Sequence, residues 1–276
     1  MTLPADFQFS QGSLQDYADC PRRFQLRTIL RLAWPAVEAE PVLENERRQL
    51  QGQAFHRLVH QHLLGIPSDR LAHMAADEDL RRWWHHYLED GPADLPPARY
   101  PEIRLTTPVA GHQLMARYDL IAADAGQRLV IVDWKTSRQR SSRRWLAGRL
   151  QTQVYPYLAV RAGSHLNEGQ PVQPEQVAMV YWFADFPAEP QRFPYDGAHY
   201  QADESRLTAL IEEIKTRDDE VFPLTTDERQ CQYCRYRSLC ERGVEAGPIE
   251  GAEAISEWGD DFDVSIDFGQ IAEIEY

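Results

Sequence analysis

The stretch ARYDLIAADAGQRLVIVDWKTS, residues 116–137, decides how this chain is read. Two β-rich runs flank Asp-Ala-Gly-Gln, a turn-like segment around Gly126, so the pattern predicts an antiparallel hairpin. Asp119 and Asp133 each lie seven residues from Gly126. A turn centred there makes them cross-strand neighbours on one face, with β-carbons about 5 Å apart. Alternation along the strand puts Lys135 on the face of Asp133 and turns Trp134 the other way. Two carboxylates and an ammonium thus converge at the end of an apolar strand, Leu129 to Val132.

Carboxylates this close repel unless a cation neutralises them or one is protonated. A hard divalent ion, Mg²⁺ or Mn²⁺, meets that need with oxygen ligands and keeps waters for substrate and nucleophile. Hydrolysis of a phosphodiester needs an activated water and stabilised charge on the phosphate, which metal and lysine supply together. On this reading Asp119 and Asp133 are ligands, and Lys135 orients or deprotonates the attacking water. A bare D-x-K also arises by chance as a surface salt bridge. Its place after a buried strand, with a paired Asp upstream, separates this one from that case.

Outward from the hairpin, residues 10–33 read as two helical runs broken at Cys20-Pro21, and 42–64 and 77–89 as amphipathic helices. The segment GPADLPPARYP reads as a loop. Strands are expected at 101–106, 112–122, 128–135 and 177–184, and helices at 142–161 and 203–220. No internal repeat is visible. Helices, then strands, then a helix and strand predict an α/β domain with a mixed central β-sheet flanked by helices. Residues 1–243 are read as that domain and 244–276 as an acidic tail, disordered or ordered by a partner.

The net charge of −14 is unevenly spread. The tail holds ten Asp and Glu and no Lys or Arg, which leaves 33 acidic and 29 basic residues before it, a balance of −4. Arg138, Arg140, Arg143, Arg144 and Arg149 fall within twelve residues just after the D-x-K strand. A local basic stripe of this kind meets phosphates whatever the global charge. The alternative is a solvated helix face. Only two basic residues are lysines, Lys135 and Lys215. No run approaches the roughly 18 apolar residues of a membrane span, and the first residues lack a signal-peptide pattern. A soluble cytoplasmic protein is the expectation.

The four cysteines are Cys20, Cys231, Cys234 and Cys240. C-x₂-C-x₅-C with one distant partner is metal-ligand spacing, and disulfides are disfavoured in a cytoplasmic protein. Thiolate chemistry alone permits Zn²⁺ or a [4Fe–4S] cluster. Either would clasp the two ends of the domain, closing a loop of about 210 residues, worth about 5 kcal/mol on loop-closure models. His56, in GQAFHRLVHQHLL, and the pair Gln153 and Tyr157, four apart in QTQVYPYLAV, read by themselves as helix-surface or structural residues.

Taken together, residues 8–242 resemble the RecB-like branch of the PD-(D/E)xK nuclease superfamily, with its restriction-endonuclease-like core. They look most like its iron–sulfur members, the Cas-four CRISPR exonucleases and the AddB-type nuclease domains. Ser13, Leu14, Tyr17, Cys20, Pro21 and Phe24 match the family's opening motif. GQAFH matches the glycine-to-histidine motif and implies His56 as a metal ligand. RYDLI and DWK match the acidic and D/E-x-K motifs at Asp119, Asp133 and Lys135. QVYPY matches Q-x-x-x-Y, which implies that Gln153 and Tyr157 hold DNA near the site. The resemblance also implies the [4Fe–4S] cluster rather than zinc. Glu102 is similar to an acidic residue of the upstream strand and is assigned no catalytic role. The proline before the first Asp motif is absent.

The expected activity is a Mg²⁺- or Mn²⁺-dependent deoxyribonuclease acting on single strands or ends, with a CRISPR integrase or a helicase–nuclease as possible partners. The alternative is a non-catalytic DNA-binding or scaffold subunit on the same fold. The tail, with Trp258, Phe262, Phe268 and Tyr276 among its carboxylates, is expected to solubilise the protein, to dock on a protein partner, or to lie over the basic DNA groove.

Overall fold

The computed structural model describes residues 3–4, 6–33, 42–232 and 234–243, with the backbone alone for 42–46. The acidic tail and the readings placed on it lie outside the described residues. In chain order, strand β1 is Gln8–Ser10, helix α1 Gln11–Asp19 and α2 Pro21–Phe24, followed by a π turn at Gln25–Ile29. Helices α3 (Val42–Leu63), α4 (Ser68–Ala72) and α5 (Glu78–Asp90) precede strands β2 (Ala98–Val109), β3 (His112–Asp124) and β4 (Arg128–Lys135). Helices α6 (Arg143–Gly148) and α7 (Leu150–Ala162), strands β5 (Val177–Phe183) and β6 (Gln191–Pro194), and helix α8 (Gly197–Thr216) complete the order. Mixed sheet and flanking helices make the α/β architecture that the patterning predicts.

The hairpin register is symmetric about Gly126: Asp124 pairs with Arg128, Ala122 with Val130 and Leu120 with Val132. Gly126 has φ +73°, a left-handed turn conformation that glycine adopts without a Cβ penalty. Its amide donates to the buried Asn167 Oδ1 at 2.6 Å, so the loop after α7 fixes the turn. β4 lies between β3, antiparallel, and β5, parallel. β2 runs along one edge of β3 from Val109↔His112 to Ala98↔Ala123. The opposite edge is shared by β1, at residues 113–115, and β4, at residues 120–124. Residues 116–119 of that edge lie between the two partners, and Asp119 is the last of them.

One face of the sheet packs on α1, α7 and α8 through Leu14, Tyr17, Val154, Leu158, Leu207 and Ile211. The other packs on α3 and α5 through Phe55, Leu58, Val59, Trp83 and Trp84. Tyr118, Ile121 and Ala123 face the first core and Leu120 the second. The strict two-residue alternation therefore slips by one between Tyr118 and Ile121, at the level of Asp119.

Several elements differ from the sequence expectation. β2 begins inside the proline-rich loop and carries Pro101 and Pro108, tolerated because β2 pairs on one side only. The helix expected over 142–161 is two helices, separated by extended backbone at Arg149 (φ −76°, ψ 142°). α8 starts six residues early, where Asp196 accepts the His199 amide. The three- and four-residue strands β1 and β6 were not expected, since so short a segment becomes a strand only when a partner supplies its hydrogen bonds.

Candidate functional site

The site is at the end of β4, where the hairpin partners diverge. Beyond Leu120↔Val132 the backbone ladder stops, and the Asp119 carboxylate takes its place: Oδ2 accepts the Trp134 amide at 2.9 Å. Its Oδ1 lies 3.2 Å from His56 Nδ1. Burial by itself pushes the Asp119 carboxyl up, but the charge and hydrogen bond of His56, the Trp134 amide and the charge of Lys135 together hold it below the usual carboxylate range. Across the gap, Asp133 Oδ2 lies 2.9 Å from Lys135 Nζ. Both residues are buried, at 3% and 7% exposure, so the pair offsets part of the cost of burying two charges. Lys135 Nζ also stands 5.5 Å over the Tyr181 ring.

His56 reaches this end because α3 crosses the strand closely. A β-carbon on Gly52 would stand 2.9 Å from Thr136 Oγ1. Any larger residue would require the Thr136 side chain to shift, and one helical turn later His56 meets Asp119. This gives the Gly-x-x-x-His spacing a steric reason that the sequence reading lacked. Position 102 is also unusual: the ladder to β3 skips it between Pro101↔Leu120 and Ile103↔Tyr118, level with Asp119, and Glu102 has φ +52°. Its carboxyl is pushed up by burial and by the Asp119 charge, against Arg117, 3.4 Å away.

A residue not singled out in the sequence lies at the centre. Gln151 donates from Nε2 to Asp133 Oδ1 at 2.6 Å and accepts Lys135 Nζ on Oε1 at 3.1 Å. Among the described residues no hydrogen bond joins Gln153 or Tyr157 to Asp133 or Lys135. Gln153 is buried with its carbonyl oxygen unpartnered among the described residues. Tyr157 stacks on Tyr200 at 5.4 Å, and burial pushes its hydroxyl up to about 12. The pattern Q-x-x-x-Y is satisfied twice in this helix, by Gln151 with Tyr155 and by Gln153 with Tyr157, and the structure turns the first glutamine to the site.

The arginine-rich segment also divides. Arg149 is buried, 3.4 Å from Asp19 and stacked on Trp145, so it fastens α6 to α1 instead of facing solvent. Arg143 stacks on Phe193 and donates to the Arg192 carbonyl. Arg138 and Arg140 pair with Asp79 and Glu189. Arg144 is exposed.

The cysteines form a separate corner. All four are free thiols, and Cys20 acts electrostatically on Cys231, Cys234 and Cys240. Burial pushes the Cys234 thiol up to about 11. Protein contacts close the same corner: Arg22 N to Pro223 O, Gln25 Nε2 to Glu220 O, Phe222 N to Gln25 Oε1, and Tyr236 Oη to Leu32 O. Among the described residues no three His, Cys, Asp or Glu side chains stand as a ready-made metal cradle. No described helix is long and apolar enough to cross a membrane.

The family profile of the PD-(D/E)XK nuclease superfamily matches residues 8–241. The chain belongs to that superfamily. No curated protein matches it. Among solved structures, a candidate exonuclease from Eubacterium rectale is similar over 90% of this chain and 92% of its own, at 10% identity and TM-score 0.52. The protein SSO0001 aligns over 86% and 87%, at 16% identity and TM-score 0.43. The superfamily comprises nucleases, which typically use divalent metals such as Mg²⁺. Nuclease is the coarse assignment for this chain.

Proposed function

We propose that the chain is a divalent-metal-dependent deoxyribonuclease that cuts at the end of β4. The observation that carries this is the buried constellation in which Gln151 bridges Asp133 and Lys135 while the neighbouring Asp119 bonds His56. Two acidic residues from adjacent strands suit Mg²⁺ or Mn²⁺, which take one or two carboxylates and complete their shell with water and phosphate. The donor set therefore fits such an ion without a three-residue cradle. Asp119 and Asp133 would hold it, with His56 as a further donor. When bound, the ion polarises the phosphate and lowers the pKa of a water. Lys135 then holds the attacking water or offsets charge on the phosphate, and Gln151 keeps Lys135 and Asp133 in register. Single-stranded or end-containing DNA is the proposed substrate, in repair or in CRISPR spacer processing.

The iron–sulfur branch is a second part of the proposal. It is supported by the C-x₂-C-x₅-C spacing and by Cys20 lying within electrostatic reach of the other three thiols. A [4Fe–4S] cluster held by Cys20, Cys231, Cys234 and Cys240 would take four thiolates, so its binding displaces protons from the buried thiols.

The test is a gel assay of anaerobically purified protein on labelled single- and double-stranded DNA with Mn²⁺ or Mg²⁺. Wild type should cut and Asp133→Ala and Lys135→Ala should not, while all three remain folded at the assay temperature and bind DNA alike. Near-wild-type cutting by either variant would move the site elsewhere. DNA binding with no cutting by wild type under any metal would favour the scaffold reading. Stoichiometric zinc in colourless protein would replace the cluster by Zn²⁺.

A further inference from the structure

The site is tied to the N-terminal helix through the first residue of α7. That helix starts at Leu150, and its N-cap residue, Arg149, makes no side-chain capping bond. The cap comes from α1, 135 residues away: Gln15 Oε1 accepts the Leu150 amide at 2.9 Å. The next residue is Gln151, which spans Asp133 and Lys135. On its other side Gln15 Nε2 donates to Asp19 Oδ1 at 2.9 Å. Asp19 Oδ2 receives Arg23 Nη2 at 2.8 Å and lies 3.4 Å from Arg149 Nη1. Gln15, Arg23, Arg149, Gln151, Asp133 and Lys135 are all buried.

The chemistry of each link sets the next. A carboxylate only accepts, so Asp19 draws the NH₂ of Gln15 toward itself and leaves its carbonyl oxygen for Leu150. The opening turn of a helix lacks intrahelical partners for its amides, and a buried amide without a partner costs about 1–3 kcal/mol. An unpartnered Leu150 amide would be relieved by shifting or fraying the turn that carries Gln151.

We propose that Gln15 is a positioning residue for the nuclease site: by capping α7 at Leu150, with its amide oriented by Asp19, it holds Gln151 against Asp133 and Lys135. This rests on the reading of Asp133 and Lys135 as the reacting centre. It gives α1 a role in the site of β4.

The test is a double-mutant cycle of Gln15→Met and Gln151→Met in the full chain. It reads kcat and KM for Mn²⁺-dependent oligonucleotide cutting and the ¹H–¹⁵N signal of the Gln151 side-chain amide. Gln15→Met should lower kcat about tenfold, the lower end of what losing a supporting partner costs, with KM within about twofold. The Gln151 amide signal, identified by its loss in Gln151→Met, should move to the position of a solvated amide. In the Gln151→Met background, Gln15→Met should lower kcat no further. A polarity swap, Gln15→Glu with Asp19→Asn, restores donor and acceptor in reverse and should return kcat to within about twofold of wild type. Additive losses in the cycle, or an unmoved Gln151 amide in Gln15→Met, would reduce Gln15 to a packing residue. If wild type fails to cut DNA, the nuclease reading falls, and the amide signal still decides the positioning.

Discussion

The carboxylate end of β4 and the cysteine corner are both candidate metal centres, and they are built in opposite ways. Asp133 and Lys135 stand on a central strand clamped by β3 and β5, and Asp119 completes the interrupted ladder by accepting the Trp134 amide. Their directions follow from backbone that is hydrogen-bonded without a metal. Cys231, Cys234 and Cys240 lie on a 3₁₀ turn and irregular segments, and burial pushes the Cys234 thiol up to about 11. The difference teaches which centre comes preassembled. A magnesium ion asks for few protein ligands and can arrive with water and phosphate. A four-thiolate centre needs all its ligands deprotonated and drawn together, so its binding is coupled to local ordering.

The sharpest test of that division sets a strand residue against two cysteines. Asp133→Ala should lower kcat by about 10³-fold, the scale of losing a preorganised charge stabiliser, in protein that stays folded at the assay temperature although Lys135, left buried without its carboxylate, costs it some stability. Cys20→Ala and Cys234→Ala should instead lower the thermal midpoint by similar amounts. The loss of unfolding free energy should be smaller than the roughly 5 kcal/mol of full loop closure, because the Arg22, Gln25 and Tyr236 contacts still join the ends. A cysteine variant that melts like wild type but no longer cuts would erase the distinction.

A smaller effect probes how α3 joins the preassembled centre. Gly52→Ala pushes a methyl toward Thr136 Oγ1 and should cost about tenfold in activity by lifting His56 from Asp119. Adding Thr136→Ala should recover most of it. Activity unchanged in Gly52→Ala would mean that the close crossing does not set the His56 position.

The smallest effect concerns the arginines between the two regions. Arg144→Ala should flatten the salt dependence of DNA binding by about one log–log unit, as for one phosphate contact. Arg149→Ala should leave the slope alone and lower the thermal midpoint, since Arg149 is paired with Asp19 beneath the surface. Titration of binding against salt for both variants distinguishes them, and equal slopes would put Arg144 off the DNA path.

The local periods of the chain were enough to place Asp119, Asp133 and Lys135 at one strand end. Gly126 sets the turn and the turn sets the register, but not the face of Asp119, because the alternation slips at its level. The break at Cys20-Pro21 was legible for the same reason, because proline acts within a few residues. What sequence could not supply was the phase of each helix against the sheet. Gln151 and Gln153 are two positions apart on α7, roughly 200° around it, and no local signal says which side meets Lys135. That follows from the apolar face of α7 packing on α1 and the sheet and from Gln15 fixing where the helix begins. The same cause removed Arg149 from the basic stripe and brought His56 to Asp119: such contacts span 63 and more residues, a separation at which only packing selects the partner.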